Sequence, residues 1–76
     1  MKLIEAIDLT EFMKAVRQCR RDVFFVTAEG DRLNLKSAMS SFLFMLLQNR
    51  RDILRDGVID CIDPVDAQYL NGFLTV

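Results

Sequence analysis

The sequence predicts an α+β fold in which an antiparallel sheet carries helices on one face. Three observations lead there. Hydrophobic content is high, 51% of 76 residues, at a net charge of only −1, which marks an ordered core rather than a disordered chain. Helical and alternating apolar periods succeed one another along the chain, and capping or turn residues mark each change of period. A chain of this length holds one core, so residues 1–76 read as a single domain.

Each element has its own signal. Residues 2–7 show a short alternating apolar pattern that ends at Asp8, as in a first strand. Asp8 and Glu11 have the spacing of a capping box, with Asp in place of Ser or Thr. Leu9, Phe12, Val16 and Cys19 then recur at helical spacing, while Arg17, Arg20 and Arg21 near the C-terminal end suit the helix dipole. A helix over roughly 9–20 follows. Val23 to Thr27 is β-branched and aromatic, Ala28 to Asp31 supplies a turn, and Leu33 and Leu35 alternate with polar residues, so the pair reads as a hairpin.

Ser37 stands where the next helix needs an N-cap, and that helix runs from Ala38 into the apolar stretch Phe42 to Leu47. Residues 48–56 admit two readings, a helix continued to about Leu54 or a loop. Gly57 opens a strand over Val58 to Ile62. Asp63 before Pro64 starts a last helix, with Val65, Tyr69, Leu70, Phe73 and Leu74 at helical spacing and Gly72 weakening its final turn. The order is β-α-β-β-α-β-α.

Composition removes several functions. Ten basic and eleven acidic residues leave no basic excess for a phosphate backbone, so nucleic acid is an unlikely partner. The longest apolar run has six residues, far below the roughly 20 that cross a bilayer. No apolar leader follows Met1-Lys2, which predicts a cytoplasmic chain whose Cys19 and Cys61 are reduced core thiols. Neither cysteine has a CxxC partner or a histidine nearby. Asp60 reads as an outward strand residue, and Asp63 and Asp66 read as helix caps without a calcium loop. No metal, cofactor or catalytic residue is expected, and the chain reads as a non-enzyme.

The stretch Glu29-Gly30-Asp31-Arg32-Leu33-Asn34-Leu35-Lys36-Ser37-Ala38-Met39 resembles the hairpin and second-helix start of HPr, the histidine-containing phosphocarrier family. Members often read asparagine-glycine, a few strand residues, then N-L-K-S and an aliphatic-methionine pair. Leu35-Lys36-Ser37 and Met39 match, at the family's distance from Gly30. The order of elements matches over nearly the whole chain. The resemblance implies an HPr-like open-faced β-sandwich, four antiparallel strands in the order 1-4-2-3 with three helices on one face.

The family's phosphate-accepting histidine lies in a segment G-[IL]-H-A-R-P at the start of the first helix. Counted back without gaps from Ser37, the histidine's place falls near Ala6 and the arginine's near Asp8. This chain contains no histidine, which excludes phosphohistidine transfer, and Asp8 sets a negative charge where the family supplies a cation. The serine that a dedicated kinase phosphorylates in many Gram-positive bacteria aligns with Ser37. A phosphate there would lie on the orphan N–H groups of the second helix, with Lys36 and Arg32 adding charge. The plainer role for Ser37 is an N-cap worth about 1 kcal/mol.

By the same resemblance, Ala38, Met39 and Phe42 form a docking patch for a partner protein. The surrounding run is apolar on every side, so Met39, Phe44 or Leu47 would also stay exposed unless residues 48–56 cover them. The expected function is a regulatory or protein-interaction module related to the sugar phosphotransferase system, gated by phosphorylation of Ser37. The alternative is a non-enzymatic α+β module related only by fold, acting as a homodimer or by binding a small ligand or nucleic acid. A nucleic-acid site would need Arg17, Arg20 and Arg21 to converge with Arg50, Arg51 and Arg55; otherwise these residues are solvated faces.

Overall fold

A computed structural model describes residues 1–75. Its centre is β2 (Val23–Val26), which pairs antiparallel with β3 (Arg32–Asn34) on one side and β4 (Val58–Cys61) on the other. Val23 and Phe25 point into the core, and Ile59, opposite Phe25, joins them. Phe24 and Asp60 pair on the outer face, where the Arg32 guanidinium lies 4.4 Å over the Phe24 ring and 3.5 Å from Asp60. The hairpin closes at Thr27, whose N–H donates to the Asp31 carbonyl and whose hydroxyl accepts from the Asp31 N–H. Gly30 takes φ +96° in that turn, a conformation that disfavours any side chain.

Among the described residues, four α-helices pack toward the inner side of this sheet: α1 (Leu9–Gln18), α2 (Ala38–Met45), α3 (Arg51–Asp56) and α4 (Ala67–Leu70). Leu9, Phe12, Met13 and Val16 of α1, Phe44 of α2, Leu54 of α3 and Leu70 of α4 share one cluster with the sheet's inner side chains. Four rings run through it in sequence. Phe73 meets Phe12 edge-on at 5.6 Å, Phe12 meets Phe44 at 5.9 Å, and Phe44 meets Phe25 edge-on at 5.2 Å. Burying each such ring stabilises the fold by about 1.5–3 kcal/mol, so this chain joins the C-terminus, α1, α2 and β2.

The α+β class is as expected, but the single four-stranded sheet in the order 1-4-2-3 with three helices is not what forms. The described residues form two antiparallel sheets, a β3-β2-β4 sheet and a pair made of β1 (Lys2–Leu3) and β5 (Leu74–Thr75), with four α-helices. Both ends of the chain explain the difference. Residues 2–7 do not run as one strand, because the chain turns at Glu5-Ala6 and the Ile4 N–H bonds to the Phe73 carbonyl. At the other end α4 stops at Leu70, Gly72 falls in a 3-10 turn over Asn71–Phe73, and Leu74 extends to pair with Leu3. The first strand still lies beside the fourth, where the Ile59 N–H donates to the Met1 carbonyl at 2.7 Å.

The first helix is shorter than its charge pattern predicts, since Cys19 leaves helical geometry at ψ 141°. The open segment 48–56 takes neither proposed form. A 3-10 turn over Leu46–Asn49 ends α2, and α3 starts anew at Arg51. It ends at Gly57, where any Cβ would run into the Phe25 ring and the Val26 carbonyl, so only glycine lets β4 begin there.

Candidate functional surface on α2

The approach to α2 is set by Asn34, whose side-chain oxygen accepts from the Lys36 N–H at 3.0 Å and whose carbonyl accepts from the Ser37 N–H at 2.9 Å. Ser37 then takes the extended conformation of an N-cap, and its carbonyl accepts from the Ser41 N–H at 2.8 Å. Its hydroxyl makes no capping hydrogen bond. Ser37 therefore occupies the cap position without the bond that makes a cap stabilising, and it lies exposed at the head of the helix.

The cations expected to assist a phosphate are engaged elsewhere. Lys36 Nζ donates to the carbonyls of Cys19 at 2.6 Å, Val16 at 3.3 Å and Arg17 at 3.4 Å, closing the C-terminal end of α1. Arg32 is held on the outer sheet face by Phe24 and Asp60. Arg17 lines the cleft beside Ala38 and Ser41 and has no carboxylate in that cleft.

Of the residues expected to dock a partner, Ala38 is exposed, Met39 is 72% exposed and Phe42 is 63% exposed. Leu43 at 44% and Leu46 at 58% complete the stripe. Residues 39, 42, 43 and 46 stand at i, i+3, i+4 and i+7, which is one face of a helix. Ala38, Met39 and Phe42, the residues expected from the sequence, cover only the first half of that face; Leu43 and Leu46 join it because Phe44 turns inward. Phe44 goes the other way. It is fully buried between Phe12 and Phe25, and Leu47 is half-buried beside the core. Leu43, Leu46, Leu47, Leu33 and Ile53 line a shallow apolar hollow of about 560 Å³ at the C-terminal end of the stripe.

The two arginine groups lie apart. Arg51 donates to the Ile7 carbonyl at 3.1 Å, just ahead of α1, whereas Arg20 and Arg21 follow its far end, about 15 Å away along the helix axis. Arg50 pairs with Asp52 and Arg55 with Asp56, each at 3.3 Å. At the position where the resemblance would call for an arginine, Asp8 Oδ1 accepts from the N–H groups of Thr10 and Glu11. A carboxylate thus already fills the N-terminus of α1.

Asp63 caps as expected, accepting from the Val65 N–H at 2.9 Å. Asp66 does not cap a helix. It is 1% exposed, and its two carboxylate oxygens accept from the backbone N–H groups of Arg20 and Arg21 at 2.9 Å each. Those two bonds hold its pKa below the ordinary 3.8. They also explain why α1 stops at Gln18. Burial, and secondly the Asp66 charge, push the neighbouring Cys19 thiol up to about 11, and burial likewise raises Cys61. Both cysteines are free and held as thiols. Among the described residues, no group of three or more Cys, Asp or Glu is placed to hold a metal ion, and no helix is long and apolar enough to cross a membrane. No family model, curated protein or solved structure matches the chain.

Proposed function

We propose that this chain is an HPr-like interaction module that has lost phosphohistidine transfer and docks a partner protein through the start of α2. The observation that supports this most is the setting of Ser37: an exposed hydroxyl free of capping bonds, directly before Ala38, Met39 and Phe42 on an apolar stripe. A buried cap would be unavailable to a kinase, and a polar α2 face would offer a partner nothing to desolvate. Phosphorylation at Ser37 would add a doubly negative group at the edge of the stripe. It would sit on the orphan N–H groups of α2, with Arg17 in the adjoining cleft, and would oppose an apolar partner while creating a site for a basic one.

Two readouts test this. Incubation with an HPr kinase and ATP, followed by mass spectrometry, should place one phosphate on Ser37. An unmodified Ser37 beside a phosphorylated HPr control would refute the gating. Titrating the isotope-labelled chain with the same kinase, without ATP, should move the amide signals of Ser37 to Leu43 first. No movement at saturating kinase would refute docking at this face.

A further inference from the structure

We infer that the apolar stripe of α2 is covered by a second copy of this chain, with the two α2 helices antiparallel across a two-fold axis. The inference rests on the reading of α2 as a docking face and names the occupant of that face. The stripe itself contains no charge, since Ser37 to Asn49 includes no Asp, Glu, Lys or Arg. Two copies can therefore face each other without burying an unpaired ion.

What selects the second copy is the charge at the two ends of the helix. The N-terminal end borders a cleft lined by Arg17 and Lys36 with no carboxylate in it; Lys36 is turned onto the α1 carbonyls, and Asp22 and Asp66 stand beside Arg20 and Arg21, so Arg17 is the cation this end offers. The C-terminal end borders a hollow carrying Glu29, Asp31, Asp52 and Asp56; Arg50 pairs with Asp52 and Arg55 with Asp56, so Glu29 and Asp31 carry its negative charge. That hollow shares Thr27, Asp31 and Ile53 with the apolar one under Leu43 and Leu46; Arg32, which also lines the apolar one, is taken up by Asp60, so the acidic surface continues from the stripe at Asp31. Antiparallel pairing sets the basic end of each copy against the acidic end of the other, and the two-fold axis makes the contact twice. Parallel pairing would set like charge against like.

The area points to a weak contact. Taking about 200 Å² for a large side chain, the four stripe residues present roughly 450 Å², so two copies bury about 900–1,000 Å² in all. That is below the roughly 1,200–2,000 Å² of standard specific interfaces and falls among weak, transient contacts, so the dimer is expected to be reversible. The core needs no second copy to close, because Phe44 and Leu70 are fully buried within one chain.

Sedimentation velocity over a concentration series, at low and high salt, tests this on the full chain. The wild type should dimerise reversibly as concentration rises, less strongly at high salt. Phe42→Glu should be monomeric and, at a concentration where the wild type is monomeric too, should unfold at the same midpoint, which separates lost association from lost folding. Arg17→Glu and Asp31→Lys should each weaken the dimer several-fold, and the two together should restore it, because the swapped charges again meet across the axis. A wild type that stays monomeric at every concentration would overturn the dimer, as would a dimer indifferent to Phe42→Glu. Failure of the double variant to restore association would overturn the antiparallel arrangement. A monomer whose α2 amides still respond to HPr kinase would refute the second copy alone; loss of both responses would refute the docking face as well.

Discussion

The helices α1 and α2 are built in opposite ways. In α1 the apolar residues keep to one stripe, Lys14 pairs with Glu11 outside, and both ends are closed by side chains. Asp8 serves the first N–H groups, while Lys36 and Asp66 serve the carbonyls and N–H groups around its C-terminal end. In α2 the apolar residues go all round, the cap hydroxyl is unused, and only Phe44 is fully buried. The first helix spends its sequence on folding. The second places one ring in the core and leaves the rest of its apolar surface to an outside contact.

Replacing the inward ring should break that comparison most strongly. Phe44→Ala removes the centre of the Phe12–Phe44–Phe25 chain and should cost about 3–5 kcal/mol in urea denaturation, a large part of the stability of so small a domain. The clamp on α1 comes next. Because the folded Asp66 has its pKa below 3.8, its stabilisation is complete above that value and is lost as pH falls through the lower folded value. Asp66→Asn should lower the urea midpoint at neutral pH and flatten its decline in acid. An unchanged acid slope would show that other carboxylates carry it. The caps give the smallest and sharpest contrast. Asp8→Ala should cost about 1 kcal/mol, whereas Ser37→Ala should change stability by no more than a few tenths.

Legibility in the sequence follows the same division. The amphipathic period of α1 and the β-branched run of β2 report burial directly, and both elements lie where their patterns place them. At the ends of the chain the pattern misleads. Phe73 and Leu74 keep helical spacing, yet their partners are Phe12 and Leu3, and no local period carries a contact with the other end of the chain. Asp66 has the same difficulty. By sequence it resembles a first-turn carboxylate, and only the approach of Arg20 and Arg21 makes it a clamp. On α2 an all-apolar helix has no preferred side by composition alone, so the stripe 39, 42, 43 and 46 emerges only once Phe44 is fixed inward.

Docking at α2 requires its outer face to be surplus to folding. Urea denaturation of a Met39→Ser/Phe42→Ser double variant, at a concentration where the chain is monomeric, measures this directly. The predicted result is a stability within about 0.5 kcal/mol of the wild type. A loss of about 2 kcal/mol or more would mean that these side chains belong to the core, and the docking face would not exist.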